Sequence, residues 1–161
     1  MLLRWLLAVL ILPFNVLVVI PCGLLFAFRQ GPWRHAWAAW DSLRGAAALA
    51  LAGLSLAVWT MGLFARYGEG TGAPWDPPQK FVARGPYLRV RNPMIISVFI
   101  ILLAESVFAG SRPVLGWLAV FAAMNLFYIP LSEERGLEAR FGEEYRQYKR
   151  AVPRWLPKLR P

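Results

Sequence analysis

Histidine and cysteine are almost absent: His35 and Cys22 stand alone in 161 residues. One cysteine excludes a disulfide framework and any cysteine-rich zinc centre. One histidine leaves no Ser-His-Asp set, and neither a Walker loop nor a zinc spacing occurs, so no metal site is expected. Charge is also scarce, at 17% of residues, where soluble domains run nearer about 25%. Acidic residues are the scarcest, 9 against 18 Lys and Arg, for a net charge of +9. Disorder is excluded by 58% hydrophobic and 14% aromatic content, because disordered chains are poor in both.

Present instead are four long runs nearly free of charge. Trp5 to Phe28 has none in 24 residues, Gly45 to Ala65 none in 21, and Pro113 to Ser132 none in 20; Met94 to Gly110 has only Glu105. As helices the first two reach about 36 and 31 Å and the third about 25 Å, against a hydrocarbon core of about 30 Å. Mean hydropathy is +0.45. No backbone group goes unpaired in lipid, so each run is expected to be a helix. Arg4 followed by an apolar run resembles a secretory signal, but the run is too long and no A-x-A site follows it. Pro13 and Pro21 are expected to kink this helix. Ser111-Arg112-Pro113 turns the last two runs into a tight hairpin.

The fold class expected is therefore an all-α integral membrane protein. It has about four transmembrane helices, a hairpin in its C-terminal half, and a tail helix after it. The chain is read as one domain, 1–161, with N-terminal transmembrane helices in 1–65. Positive charge gathers after Glu133 (Arg135, Arg140, Arg146, Lys149, Arg150, Arg154, Lys158, Arg160) and in the connection holding Arg66, Lys80, Arg84, Arg89 and Arg91. The positive-inside rule places both in the cytoplasm; Arg29, Arg34 and Arg44 then lie on the unexpected side. The basic excess is explained by topology and attraction to anionic lipid, and no nucleic-acid partner is expected.

Between the second and third runs lies a loop dense in Gly and Pro, Gly68 to Pro78, shaped rather than helical. It does not follow a strand, so Gly68-x-Gly70-x-Gly72 is not a dinucleotide fingerprint. Asn92 is expected to cap the third helix, with Pro93 at its first position. Beside that helix start, Arg89 and Arg91 either hold a carboxylate or phosphate or are simply positive-inside arginines flanking a capped helix. Glu133-Glu134 sits at the unfavourable end of the fourth helix's dipole, a cost that vanishes if that helix runs on into the tail. Glu133 to Arg150 reads as an amphipathic helix, with Leu137, Phe141, Tyr145 and Tyr148 on one face and Gly142 a weak point. That face serves packing or an adenine platform. Glu105 is an intramembrane carboxylate, functional by default or snorkelling toward Arg112.

Gly85-Pro86-Tyr87-x-x-Val90-Arg91-Asn92-Pro93, a helical hairpin, then Glu133-Glu134-x-x-Leu137-x-x-x-Phe141-Gly142-x-x-Tyr145-x-x-Tyr148 and Val152-Pro153-Arg154 resemble the isoprenylcysteine carboxyl methyltransferase and phospholipid methyltransferase family. The resemblance covers roughly residues 66 to 157, and Gly70-Thr71-x-x-Pro74 resembles bacterial members. It implies that 66–161 is a methyltransferase-like core using S-adenosylmethionine. Arg91, Asn92, Pro93, Glu133 and Glu134 would contact the cofactor, with Tyr145 and Tyr148 in the covering tail helix. Arg140 and Glu134 would act at the transfer site. It further implies a bacterial inner-membrane protein with a cytoplasmic tail. The acceptor would be lipophilic: a prenylcysteine-like carboxylate, a lipid headgroup or a thiol. Where the family often reads Arg-His-Pro-x-Tyr, this chain has Arg91-Asn92-Pro93-Met94-Ile95. Asn replaces neutral His as a donor but not as a base. That departure motivates the alternative of a non-catalytic membrane protein.

Overall fold

The computed structural model describes Leu7 and residues 11–28, 40–71 and 76–158, with side chains from residue 43 in the second of these stretches. The early part of the first apolar run, Arg29, Arg34, His35 and the loop residues Gly72 to Trp75 lie outside the described residues. Every regular element described is helical. Helix α1 is Ile20–Ala27, entered through a π-helical turn at Asn15–Val19; α2 is Trp40–Leu63, continued by a π-helical turn at Phe64–Gly68. A 3-10 turn at Gly85–Leu88 precedes α3, Pro93–Ala109. Then come α4, Arg112–Tyr128, a π-helical turn at Ile129–Glu133, and α5, Glu134–Ala151.

The widened turn before α1 follows from Pro21. Ile20 N–H already bonds the Asn15 carbonyl, five residues back. By the same pattern Val16 would be served by residue 21, which has no N–H to give. The Trp117 indole of α4 supplies the missing donor at 3.1 Å. Hydroxyl and amide side chains in the apolar helices are satisfied locally: Thr60 donates to the Leu56 and Ala57 carbonyls, Ser97 to Met94, Asn125 to Phe121. Such pairing is what a lipid surround demands.

Helix α3 is the centre of the bundle, packed against α2 on one side and α4 on the other. Leu102 and Ser97 are wholly buried. Contact with α2 is close because Gly53 carries no side chain: a Cβ there would stand 2.7 Å from Ile101 Cγ1 and 3.1 Å from the Ser97 carbonyl oxygen. The hairpin turn is the expected one. Gly110 takes a left-handed conformation (φ 58°) at the end of α3, and the Ser111 hydroxyl accepts from Val114 N–H to cap α4.

Two helical stretches are long and apolar enough to cross a membrane, Leu43–Gly68 and Arg112–Ala151, and only 11% and 17% of their most apolar windows are buried within the protein. Their uncovered faces are greasy: Leu51, Leu54 and Val58 on α2, and Val120, Met124, Phe127 and Leu131 on α4 and its extension. A core helix of a water-soluble protein would be covered, so these faces suit lipid. Helix α3, at 17 residues, is shorter than α2 at 24; α4, also 17 residues, continues through the π-helical turn into the tail as one helix. The dipole cost at Glu133-Glu134 is thereby removed. The join is the π-helical turn at Pro130, where proline breaks the regular ladder.

The tail helix is not one straight amphipathic rod. Gly142 lies at φ 55°, ψ −125° inside α5, a conformation nearly closed to other residues. The chain turns back there, and ion pairs close the reversal: Arg146 to Glu138 at 3.3 Å and Lys149 to Glu138 at 3.4 Å. Residues 152–158 then run as a strap past the mouth of α3, with Arg91 N–H donating to the Pro153 carbonyl and Lys158 N–H to that of Arg89, both at 2.9 Å. Trp155 stacks on Phe99, ring centres 5.7 Å apart.

Candidate functional site

A recess of about 300 Å³ lies over the N-terminus of α3. The end of α2 walls it with Phe64, the start of α3 with Asn92, Met94 and Ile95, and the α4–α5 join with Tyr128, Ser132 and Glu133. Loop residues Pro77, Pro78, Lys80 and Phe81 form another side. They are held there by a tight loop base, in which Gln79 and Lys80 N–H both donate to the Gly68 carbonyl. Lys80 also pairs with Glu69. Gly136, Leu137, Arg140, Phe141, Tyr145 and Tyr148 close the recess from α5.

The reversal at Gly142 explains how Phe141, Tyr145 and Tyr148 all reach this space, and Phe81 is their hub. Its ring centre lies 5.5 Å from Phe141, 5.9 Å from Tyr145 and 5.1 Å from Tyr148. These edge and tilted contacts are favourable aromatic geometries. The Tyr148 hydroxyl donates to the Tyr87 carbonyl at 2.7 Å, tying the tail to the turn before α3. Burial pushes the Tyr87 phenol well above its ordinary range, with Tyr148 and Glu133 adding to the rise.

Behind the wall sits a charged cluster. Glu134 is 2% exposed. Its Oε1 lies 2.8 Å from Arg91 Nη1 and 2.8 Å from Arg154 Nε; its Oε2 accepts from Arg154 Nη2 at 2.9 Å, and Lys149 Nζ is 3.7 Å away. The hydrogen bond to Glu134 raises the Arg154 pKa above its ordinary value, against a smaller opposing effect of burial. Arg91 lines the recess; its buried Nε and Nη1 have no hydrogen-bond partner among the described residues, Nη1 meeting Glu134 as an ion pair.

Of the residues singled out from sequence, Arg91, Asn92, Glu133, Arg140, Tyr145 and Tyr148 converge on this one recess. Glu134 and Pro93 are not among its lining residues. Glu134 is held behind Arg91, and Pro93 is buried at the first turn of α3. Asn92 occupies the N-cap of that helix, but its side chain makes no cap hydrogen bond; its Nδ2 donates to the Arg154 carbonyl at 3.3 Å. Arg140 reaches over the rim and donates to the Gly136 and Pro78 carbonyls, each at 3.4 Å. Glu105 lies apart from the recess, and its buried Oε2 has no hydrogen-bond partner among the described residues. Sequence reasoning missed Phe81 as the aromatic hub and Arg154 as the partner of Glu134. The motif strings around them were visible, but no spacing rule joins residues across a reversal. Among the described residues no group of His, Cys, Asp and Glu is arranged to hold a metal ion.

The sequence of residues 42–144 matches the description of phospholipid methyltransferases. The chain belongs to the phospholipid methyltransferase family. The family match runs from the start of α2 through the recess and ends immediately before Tyr145. An uncharacterized protein of Haemophilus influenzae is 44% identical over 66 residues, a stretch that covers 39% of this chain and the whole of that protein. No solved structure matches. As a member of a methyltransferase family with two helices apolar enough to cross a membrane, the chain is a membrane-associated, methyltransferase-like protein.

Proposed function

We propose that the protein transfers a methyl group from S-adenosylmethionine to a lipophilic acceptor at the cytoplasmic face of the membrane. The observation that carries this reading is the juxtaposition of a buried arginine with a free Nε and an aromatic wall, in one recess at the ends of lipid-suited helices. The residues present fit the donor. Arg91 and the first-turn amides of α3 suit a carboxylate. Phe81, Phe141, Tyr145 and Tyr148 suit a flat adenine, and Glu133 accepts from ribose hydroxyls or an ammonium. The recess is of ligand-binding size.

When bound, the donor supplies an electrophilic methyl carbon on sulfur. The chain's own task is positioning and exclusion of water, which together account for much of such a barrier. The aromatic set shields the recess on the tail side. Arg140, at the rim, suits an anionic acceptor: a prenylcysteine-like carboxylate or a lipid headgroup; a thiol is a third candidate. Phe64, Met94, Ile95 and Tyr128 make an apolar flank between α2 and α4, a path from lipid for the acceptor's greasy part. Four membrane helices with the basic tail in the cytoplasm complete the proposal, supported by the placement of Lys and Arg. In a bacterium this is the inner membrane.

The test is incubation of protein-bearing membranes with methyl-labelled donor, followed by mass analysis of lipids, thiols and prenylated peptides. Label in a lipophilic product, lost in Arg91→Ala and Glu133→Ala, is the expected outcome. Absence of both labelled product and donor binding overturns the proposal. Binding without transfer favours a non-catalytic relative, a reading motivated by Asn92, whose amide is committed to Arg154.

A further inference from the structure

The cluster behind the recess joins two elements that the family match does not join. That match ends before Tyr145, whereas Arg154 stands on the strap. Arg154 takes both oxygens of Glu134, at 2.8 and 2.9 Å. The same Oε1 stands 2.8 Å from Arg91 Nη1. This pairing is not an ordinary surface contact, since the side chains of Glu134 and Arg91 are 3% and 10% exposed. Buried charges are held only by well-formed partners. The planar guanidinium of Arg154 can grip a carboxylate with two parallel bonds, fixing its plane as well as its position.

The strap is pinned independently of this grip. Backbone bonds tie Pro153 to Arg91 and Lys158 to Arg89, and Trp155 stacks on Phe99. Arg154 is therefore presented at a fixed place, and Glu134 is clamped between it and Arg91. Arg91 Nη1 faces Glu134 as an ion pair, and neither it nor the buried Nε has a hydrogen-bond partner among the described residues. Without Arg154, Glu134 retains Arg91 and only the distant Lys149, at 3.7 Å, so its plane is no longer set.

We propose that Arg154 is a positioning residue for the methyl-donor site: by fixing Glu134 it aims Arg91, and the C-terminal strap thereby completes the recess. This rests on the donor reading given above.

The experiment is calorimetric titration of S-adenosylhomocysteine into full-length protein in detergent, with steady-state kinetics beside it. Wild-type protein is expected to bind. Arg154→Ala is expected to weaken binding about tenfold or more, raising KM for the donor while leaving kcat at saturation largely unchanged. Arg154→Lys keeps the charge but not the double bond, and falls between. Lys158→Ala, whose backbone bond to Arg89 persists, binds as wild type does. A purely structural Arg154 would lower the yield of folded protein and leave Kd unchanged in the folded fraction. Binding by Arg154→Ala and Arg154→Lys equal to wild type overturns the inference alone. Should Arg154→Ala fail to fold, Arg154→Lys decides, an unaltered Kd counting against the idea. A wild-type protein that gives no heat overturns the donor reading itself.

Discussion

Arg154 and Glu134, twenty residues apart in sequence, meet through two parallel hydrogen bonds of 2.8 and 2.9 Å. The carboxylate is buried and Arg91 leans on it from the other side. Removing it leaves Arg91 as an uncompensated, nearly buried charge. Glu134→Ala is expected to destabilise the fold by about 3–5 kcal/mol, read as a lower thermal midpoint in detergent. Glu134→Gln, which keeps the shape, is expected to lose less.

Gly142 permits the reversal that brings Tyr145 and Tyr148 over the recess. Nothing crowds a Cβ there, so the cost of Gly142→Ala is backbone strain alone, about 1–3 kcal/mol. The expected result is a tail that exchanges amide hydrogens faster over residues 143–151, with the bundle unchanged. Equal exchange in mutant and wild type would count against the role given to this glycine.

Gly53 is a different kind of glycine. Its conformation is ordinary, but a Cβ would press on Ile101 and the Ser97 carbonyl. Gly53→Val is expected to force α2 from α3, lowering stability by about 1–3 kcal/mol, whereas Gly62→Val, where space is open, is expected to be mild. Parallel thermal unfolding of the two variants decides it.

Phe81 touches three of the tail aromatics. Truncation to alanine removes contacts worth about 0.5–1.5 kcal/mol each. Phe81→Ala is expected to weaken donor-analogue binding about tenfold or more, whereas Phe81→Tyr retains most of it. A titration in which Phe81→Ala binds as tightly as wild type would falsify the aromatic platform.

The Tyr87 phenol, raised by burial, favours the neutral form in the folded state. Its stabilising contribution is whole below the unfolded pKa of about 10 and is lost as pH rises through the higher folded value. Alkaline unfolding is thus expected to move to higher pH in Tyr87→Phe, which has no proton to lose. Phenolate absorbance followed against pH, alongside helicity, tests this.

Much of the architecture could be read from local chemistry. Apolar runs of given length dictate helices, Ser111-Arg112-Pro113 dictates a hairpin, and Pro93 opens α3 as expected. The gathering of Arg91, Glu133, Arg140, Tyr145 and Tyr148 was legible through a motif resemblance, not through spacing. Three points were not legible. Asn92 stands at the N-cap of α3, but its side chain makes no cap bond; its Nδ2 donates to a tail carbonyl 62 residues away. The stripe from Leu137 to Tyr148 was read on a continuous helix, and a positive φ at Gly142 replaces that stripe with a fold-back. The pairing of Glu134 with Arg154 depends on that fold-back, so no periodicity announces it.

One rod carries the chain from Arg112, past the widened turn at Pro130, to the acidic pair beside the recess. Its far end moves with it, because no loop intervenes to absorb a tilt. The placement of Glu133 and Glu134 is thus set by how the helix from Arg112 packs in the bundle, with the widened turn at Pro130 fixing the direction in which the acidic pair leaves it.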